Sequence, residues 1–335
     1  MNKSIAVYHD MDRATFEGSI LNGGQPAILK QLVANWPVSK AAQISPENTT
    51  AYLKKLDNGR PIQSIFAPNE QKGRHFYDAQ MRGFNFERRN VPMAALLDKM
   101  IEVIGQDNAM AMYAGSVPAS QVAPNFPNDN SMPLLPGSVE PRLWIGNRSC
   151  VAAHFDVDYN IACAVAGQRV FTIFPPEQIN NLYIGPLEYN MAGPPVSLVD
   201  FAKPGYDRFP KFRDAMDSAL VAELEPGDAL FLPPLWWHHV EATGPFNILV
   251  NYWWSSNEAA LQMQALALSM LALRDRPLPE KQAWRTYFDH YIFGPGASHA
   301  AQHIPAHAQG VLGSPSQQRT NAILGFIRNT LGRML

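Results

Sequence analysis

Only two cysteines, Cys150 and Cys163, occur in 335 residues, so no disulfide framework holds this chain together. Charge of one sign is also missing: 27 basic residues against 29 acidic ones leave a formal net charge of −2. No run of five basic residues occurs, and a nucleic-acid partner drawn in by long-range electrostatics is not expected. Eighteen consecutive apolar residues are nowhere found, which argues against a membrane-spanning helix. The opening MNKSIAVYHDMDRATF lacks the basic-then-apolar layout of a secretory signal, and there is no internal repeat. Together these absences predict a cytoplasmic globular protein. What is present is apolar material: 46% hydrophobic composition suffices for a sizeable core in one large or two ordinary domains.

From Tyr8 to Val91 the pattern is mixed, with a helix over 12–22, a strand over 26–32, a helix over 45–57 entered at Pro46, and a strand over 62–66. A helical stripe of Ala94, Ala95, Leu96, Met100, Ile101 and Ile104 follows Pro92. A strand over 109–113 leads to 117–141, six of whose residues are proline; a loop of that length is usually functional or mobile. Short strands are then predicted over 142–145, 151–156, 161–165, 169–174, 229–232 and 248–253, with 180–222 an ordered excursion outside the core. Many short strands separated by turn signals favour an antiparallel barrel or jelly roll. Beyond Asn257 the chain turns helical, over 258–273, 280–293 and 316–335, giving expected units of 1–256 and 257–335. The last helix carries Ile323, Leu324, Phe326, Ile327 and Leu331, a face that must be covered by the barrel or by a second copy of the chain.

Two stretches carry chemistry. The first, HFDVDYNIACAVAGQRVFTIFPP at 154–176, opens with two side chains that an extended strand would send to one face. His154 and Asp156 are half of the two-histidine, one-carboxylate set that binds non-haem Fe(II). The second, LEPGDALFLPPLWWHHVEATGPFNILVNYWW at 224–254, offers His238 and His239, which face opposite ways on an extended chain. Composition does not say which one completes the set. His299, His303 and His307 are a weaker candidate cluster, since Pro305 interrupts their helix and no carboxylate accompanies them.

Taken together, HFD at 154–156, Asn160, Gly167, FPP at 174–176, YDRFPKF at 206–212, PGD at 226–228, WWHHVE at 236–241 and VNYWW at 250–254 resemble the cupin-like JmjC family of Fe(II)- and 2-oxoglutarate-dependent hydroxylases. The likeness is strongest to the asparaginyl hydroxylases of hypoxia-inducible factor. It implies a mainly β fold with α, a double-stranded β-helix (jelly roll) flanked by N-terminal α/β elements and a C-terminal helical region. It also implies Fe(II) held by His154, Asp156 and His238, the last being the histidine directly after the double tryptophan. The family's lysine for the distal carboxylate of 2-oxoglutarate is replaced by Arg169, which keeps the charge and changes the reach. Asn160 and Asn251 fall where the family places amides near cofactor and substrate, and Tyr113 on the strand that supplies a cofactor hydroxyl. Val151 departs from the pattern, standing where a threonine contacts 2-oxoglutarate. The resemblance further implies that 180–222 covers the cavity, that the C-terminal helices pair two copies into a homodimer, and that the substrate is a protein side chain or peptide, while related enzymes act on small molecules or RNA. Two other classes compete: a metal-binding cupin without oxygenase turnover, such as an isomerase or sugar-binding protein, and a non-catalytic interaction protein working through its tail. Arg169 discriminates, because only the oxygenase needs a clamp for a dicarboxylate.

Overall fold

A double-stranded β-helix forms where two sheets of unequal width share an apolar interior. The computed structural model describes residues 4–191, 193–255 and 261–333, and the chain separates into two units, Met1–Glu258 and Ala259–Leu335. The larger sheet has nine strands in the order β1-β2-β11-β8-β13-β6-β5-β3-β4, and the smaller has four in the order β10-β9-β12-β7. In chain order they are β1 (Ala6–Tyr8), β2 (Ala27–Leu29), β3 (Pro61–Ala67), β4 (Glu87–Pro92), β5 (Ala111–Pro118), β6 (Pro141–Gly146), β7 (Ser149–His154), β8 (Tyr159–Ala166), β9 (Arg169–Phe174), β10 (Leu220–Leu224), β11 (Ala229–Leu232), β12 (Trp237–Ala242) and β13 (Asn247–Trp254). All pairings are antiparallel except that of β1 with β2.

Period-two alternation decides what each strand gives to each side. Ala162 and Ala164 of β8 and Leu249 of β13 pack with Phe171, Ile173, Ala222, Leu224 and Val240 of the small sheet. The intervening Ile161, Cys163, Val165, Ile248 and Val250 pack on the opposite face, with Val38, Leu53, Leu96, Leu97 and Met100 of three N-terminal helices. These helices are Pro37–Ile44, Pro46–Leu56 and Met93–Glu102. Burial on both faces is why β8 reads as a nearly unbroken apolar run. Ser45 starts the second helix, its hydroxyl accepting from Asn48 N at 3.2 Å, with Pro46 at the first helical position.

The turn before β11 is fixed by Gly227, whose φ of +100° and approach to Ala34 leave no room for a side chain. Asp228 beside it is fully buried; it pairs with Lys30 and accepts from Gln31 N at 3.0 Å and Glu225 N at 3.1 Å, tying β2 to β11. Losing Lys30 would strand that charge, at a cost of about 3–5 kcal/mol.

Four expectations change. Residues 117–141 are not a mobile loop: two short helices form there, and Val122, Phe126 and Leu134 are buried in the core beside the helices. The prolines set turns while the apolar residues between them supply burial. The excursion 180–222 ends in a core strand, β10, pairing with β9 from Leu220↔Ile173 to Leu224↔Arg169. It covers the outer face of the small sheet, with Phe201 on Phe174 and His239, and none of its described residues lines the cavity described below. The strand expected over 151–156 stops at His154.

In the second unit, helices span Gln262–Leu273, Leu278–Phe288 and Gln317–Leu331, the second running on as a π-helix over Asp289–Phe293. The expected helix start at 258 and the unit boundary at 256/257 lie outside the described residues. None of these helices buries a residue, and Leu271, Phe293 and Phe326 are 76%, 73% and 71% exposed. His299 and His307 sit in separate 3-10 turns, so no single helical face carries them. Among the described residues, no helix is long and apolar enough to cross a membrane.

Candidate active site

A bulge in β7 sets the first ligand. His238 pairs with His154 and Val240 with Val151, so two steps on β12 oppose three on β7. The extra residue lets Val151 and His154, three apart, both face the interior. Asp156 does not extend this strand; it lies in the turn to β8, where its carbonyl accepts from Leu235 N at 2.8 Å. It reaches the same cavity from the turn.

His154, Asp156 and His238 bring their ligand atoms within 4.8 Å of one another. The imidazole centroids are 4.3 Å apart, and His238 Nε2 is 3.7 Å from Asp156 Oδ2. Each ring points Nδ1 at a backbone carbonyl, His154 at Ala152 O (2.9 Å) and His238 at Trp236 O (3.0 Å). A carbonyl only accepts, so Nδ1 carries the proton and Nε2 of the neutral ring keeps its lone pair. Burial, and next the neighbouring His238, lower the His154 pKa to about 4, so its ring is neutral at physiological pH. His239, the next residue, turns outward and stacks on Phe201 at 4.1 Å. The structure thus separates the two adjacent histidines.

Asp156 is oriented by a relay of amides and indoles. Its Oδ2 accepts from Asn160 Nδ2 at 2.9 Å and from Trp253 Nε1 at 3.1 Å. Asn251 Nδ2 donates to Asn160 Oδ1 at 3.2 Å, and Trp144 Nε1 donates to Asn251 Oδ1 at 2.6 Å. The sequence placed both asparagines near the site but gave no sign of the Trp144 and Trp253 contacts. Both tryptophans lie on strands whose inward positions line the cavity, and a half-buried indole needs an acceptor.

Arg169 enters from β9. It is 3% exposed, and neither Nε nor Nη2 has a partner. Burial lowers its pKa, and the Tyr113 hydroxyl nearby opposes only part of this. Burial pushes the Tyr113 phenol up to about 12, so it is a neutral donor beside the guanidinium. Tyr113, Asn160, Arg169 and Asn251 line one cavity together with His154, Asp156 and His238. Val151 lines it too and gives that wall a methyl surface without a hydroxyl. The set suits a divalent transition metal, since two imidazole nitrogens and a carboxylate would hold it from one side of the cavity. The unpaired guanidinium fits an anion bound in the same space.

Comparison with known proteins bears on the fold. The family model described as "Cupin-like domain" matches residues 13–260. JmjC domain-containing protein D of Dictyostelium discoideum is 26% identical over 68% of this chain and 51% of its own length. Jumonji C domain-containing protein 5 of Drosophila melanogaster is 27% identical over 71% and 57%, so the chain spans about half the length of these relatives. The tRNA wybutosine-synthesizing protein 5 of Danio rerio is 23% identical over 75% of this chain and 74% of its own. With its two-sheet barrel and inward His, Asp and His, this chain belongs to the cupin-like domain family, among relatives named for the JmjC domain.

Proposed function

We propose that the protein is an Fe(II)- and 2-oxoglutarate-dependent oxygenase that hydroxylates a C–H bond, with His154, Asp156 and His238 holding the metal. A bound Fe(II) would supply the redox chemistry, coupling O₂ reduction to conversion of 2-oxoglutarate into succinate and CO₂. The observation that carries this reading is Arg169, a buried cation with two unpartnered nitrogens in the same cavity as the ligand triad. A metal-only cupin leaves that charge unexplained, whereas a dicarboxylate co-substrate pairs with it.

The chain's own residues have separate tasks. Arg169 and Tyr113 take the distal carboxylate by charge-assisted hydrogen bonds. Asn160 and Trp253 hold the Asp156 carboxylate in one orientation, and Asn251 and Trp144 hold Asn160. Val151, Phe171, Val240 and Leu249 keep the interior dry. The substrate is a protein side chain, a peptide or a small molecule, the compartment is the cytoplasm, and the working form is a homodimer joined through the exposed apolar helices of the second unit.

Calorimetry under argon tests the assignment: one Fe(II) per chain, lost in His154→Ala and in His238→Ala but kept in His239→Ala. Full-strength iron binding by His238→Ala would refute it. Succinate release in the presence of lysate peptides then identifies a substrate by mass spectrometry.

A further inference from the structure

Strand β12 presents a second set of ligands on its other face. His239 and Glu241 are two apart and point outward, and Glu241 pairs across the sheet with Cys150 of β7. The donor atoms of Cys150, His239 and Glu241 all lie within 4.8 Å of one another. We propose that these three residues form a metal site of their own, on the outer face of the small sheet, for a thiophilic divalent cation of the Zn²⁺ class.

The spacing of the three donors also suits ligands around an ion. Nε2 of His239 is 3.7 Å from Cys150 Sγ, a sulfur hydrogen bond as it stands, and 3.6 Å from Glu241 Oε1, longer than a hydrogen bond. Tetrahedral zinc with ordinary bond lengths sets its sulfur and nitrogen ligands ~3.6 Å apart, and its nitrogen and oxygen ligands ~3.3 Å apart. Stacking on Phe201 fixes the His239 ring, which is 3% exposed, with Nε2 toward the other two donors. Glu241 is 44% exposed along its side chain, which gives an ion an entry path and leaves a fourth position for water. A thiolate and a carboxylate neutralise a dication. Burial, and next Glu241, push the Cys150 thiol up to about 12, so a bound cation would displace its proton as the thiolate ligates.

This site does not depend on the oxygenase reading, and its donors distinguish it from the cavity. Sulfur is absent from the cavity lining, and Cys163 is fully buried on the other side of the large sheet. A thiolate ligand therefore reports on the outer site alone. A bound ion would join β7 to β12, the strands that carry His154 and His238.

The test is Co²⁺ titration of the full chain, followed by thiolate-to-cobalt charge-transfer absorption, with Zn²⁺ as competitor. The band should develop within two equivalents in the wild type, whose cavity triad also takes the metal, and within one in Asp156→Ala, and Zn²⁺ should abolish it. Cys150→Ser should lack the band, and Glu241→Gln should need at least about tenfold more Co²⁺ to develop it. In the Asp156→Ala background, Zn²⁺ should raise the melting temperature, and addition of Cys150→Ser should remove that rise. No band in the wild type, a band surviving in Cys150→Ser, or an unchanged titration in Glu241→Gln would each overturn the site.

Discussion

Asn251 and Asn160 are bonded in one direction: the amide of Asn251 donates to the oxygen of Asn160, whose own amide donates to Asp156. The direction is set from outside, because the Trp144 indole can only donate and so forces the Asn251 oxygen toward itself. Asn251→Ala should therefore free Asn160 to rotate and weaken Fe(II) binding by about 10- to 100-fold, the usual effect of losing a group that orients a ligand. Anaerobic calorimetry checks this, and Trp144→Phe should weaken binding in the same direction by less.

Arg169→Ala should keep its iron and lose affinity for 2-oxoglutarate. A charge-assisted contact removed from a dry pocket costs about 2–4 kcal/mol, or roughly thirty-fold to a thousand-fold. The 2-oxoglutarate dependence of succinate release measures it. Arg169→Lys separates charge from reach, and an unchanged dependence in Arg169→Ala would place the clamp elsewhere.

His75 provides a pH test independent of any metal. It is 5% exposed, both ring nitrogens lack partners, and it stacks on Tyr113 at 5.3 Å. Burial lowers its pKa to about 4. Between the unfolded value near ~6.5 and the folded value, the unfolded chain binds a proton that the native chain does not. Stability is thus undiminished above that window and falls with pH through it, by on the order of a few kcal/mol from this residue. His75→Phe should flatten the urea-unfolding profile over the window and leave the neutral-pH value about as high or higher. A slope identical to wild type would show that His75 titrates normally.

Light scattering tests the homodimer. The 335-residue chain should run at about twice 37.2 kDa, since Phe326 and Leu324 on the last helix are 71% and 41% exposed within one chain. Leu324→Arg should give monomer or insoluble protein, because a contact on a two-fold axis meets the new charge twice. A 37.2 kDa species from wild type at micromolar concentration would refute the pairing.

The sequence was most legible where a pattern repeats. Strands β9 and β11 and the helix after Ser45 fall where alternation and capping put them. Strand β10 was hidden because Leu220, Ala222 and Leu224 are too short a pattern to stand out after a segment rich in proline and glycine. His154 and Asp156 were paired for the wrong reason: the strand ends between them, and the turn brings the carboxylate back. The seven site residues expected from the family resemblance share one cavity. The Trp144 and Trp253 contacts were invisible, since an indole hydrogen bond has no sequence spacing of its own. Cys150 drew no attention because its ligand partners are near only across a strand pair.

Adjacent histidines on β12 make one aspect of this fold ambiguous by construction. If the strand slid by one residue against its neighbours, every side chain would change faces and His239 would take the place of His238. An imidazole would still reach the cavity. What forbids the slide is the next pair along: Val240 would leave the interior and Glu241, 44% exposed along its side chain, would enter it alongside Asp156. Glu241 thus works as a register lock, and replacing it with an apolar residue would leave two alignments of one strand competing for the same protein.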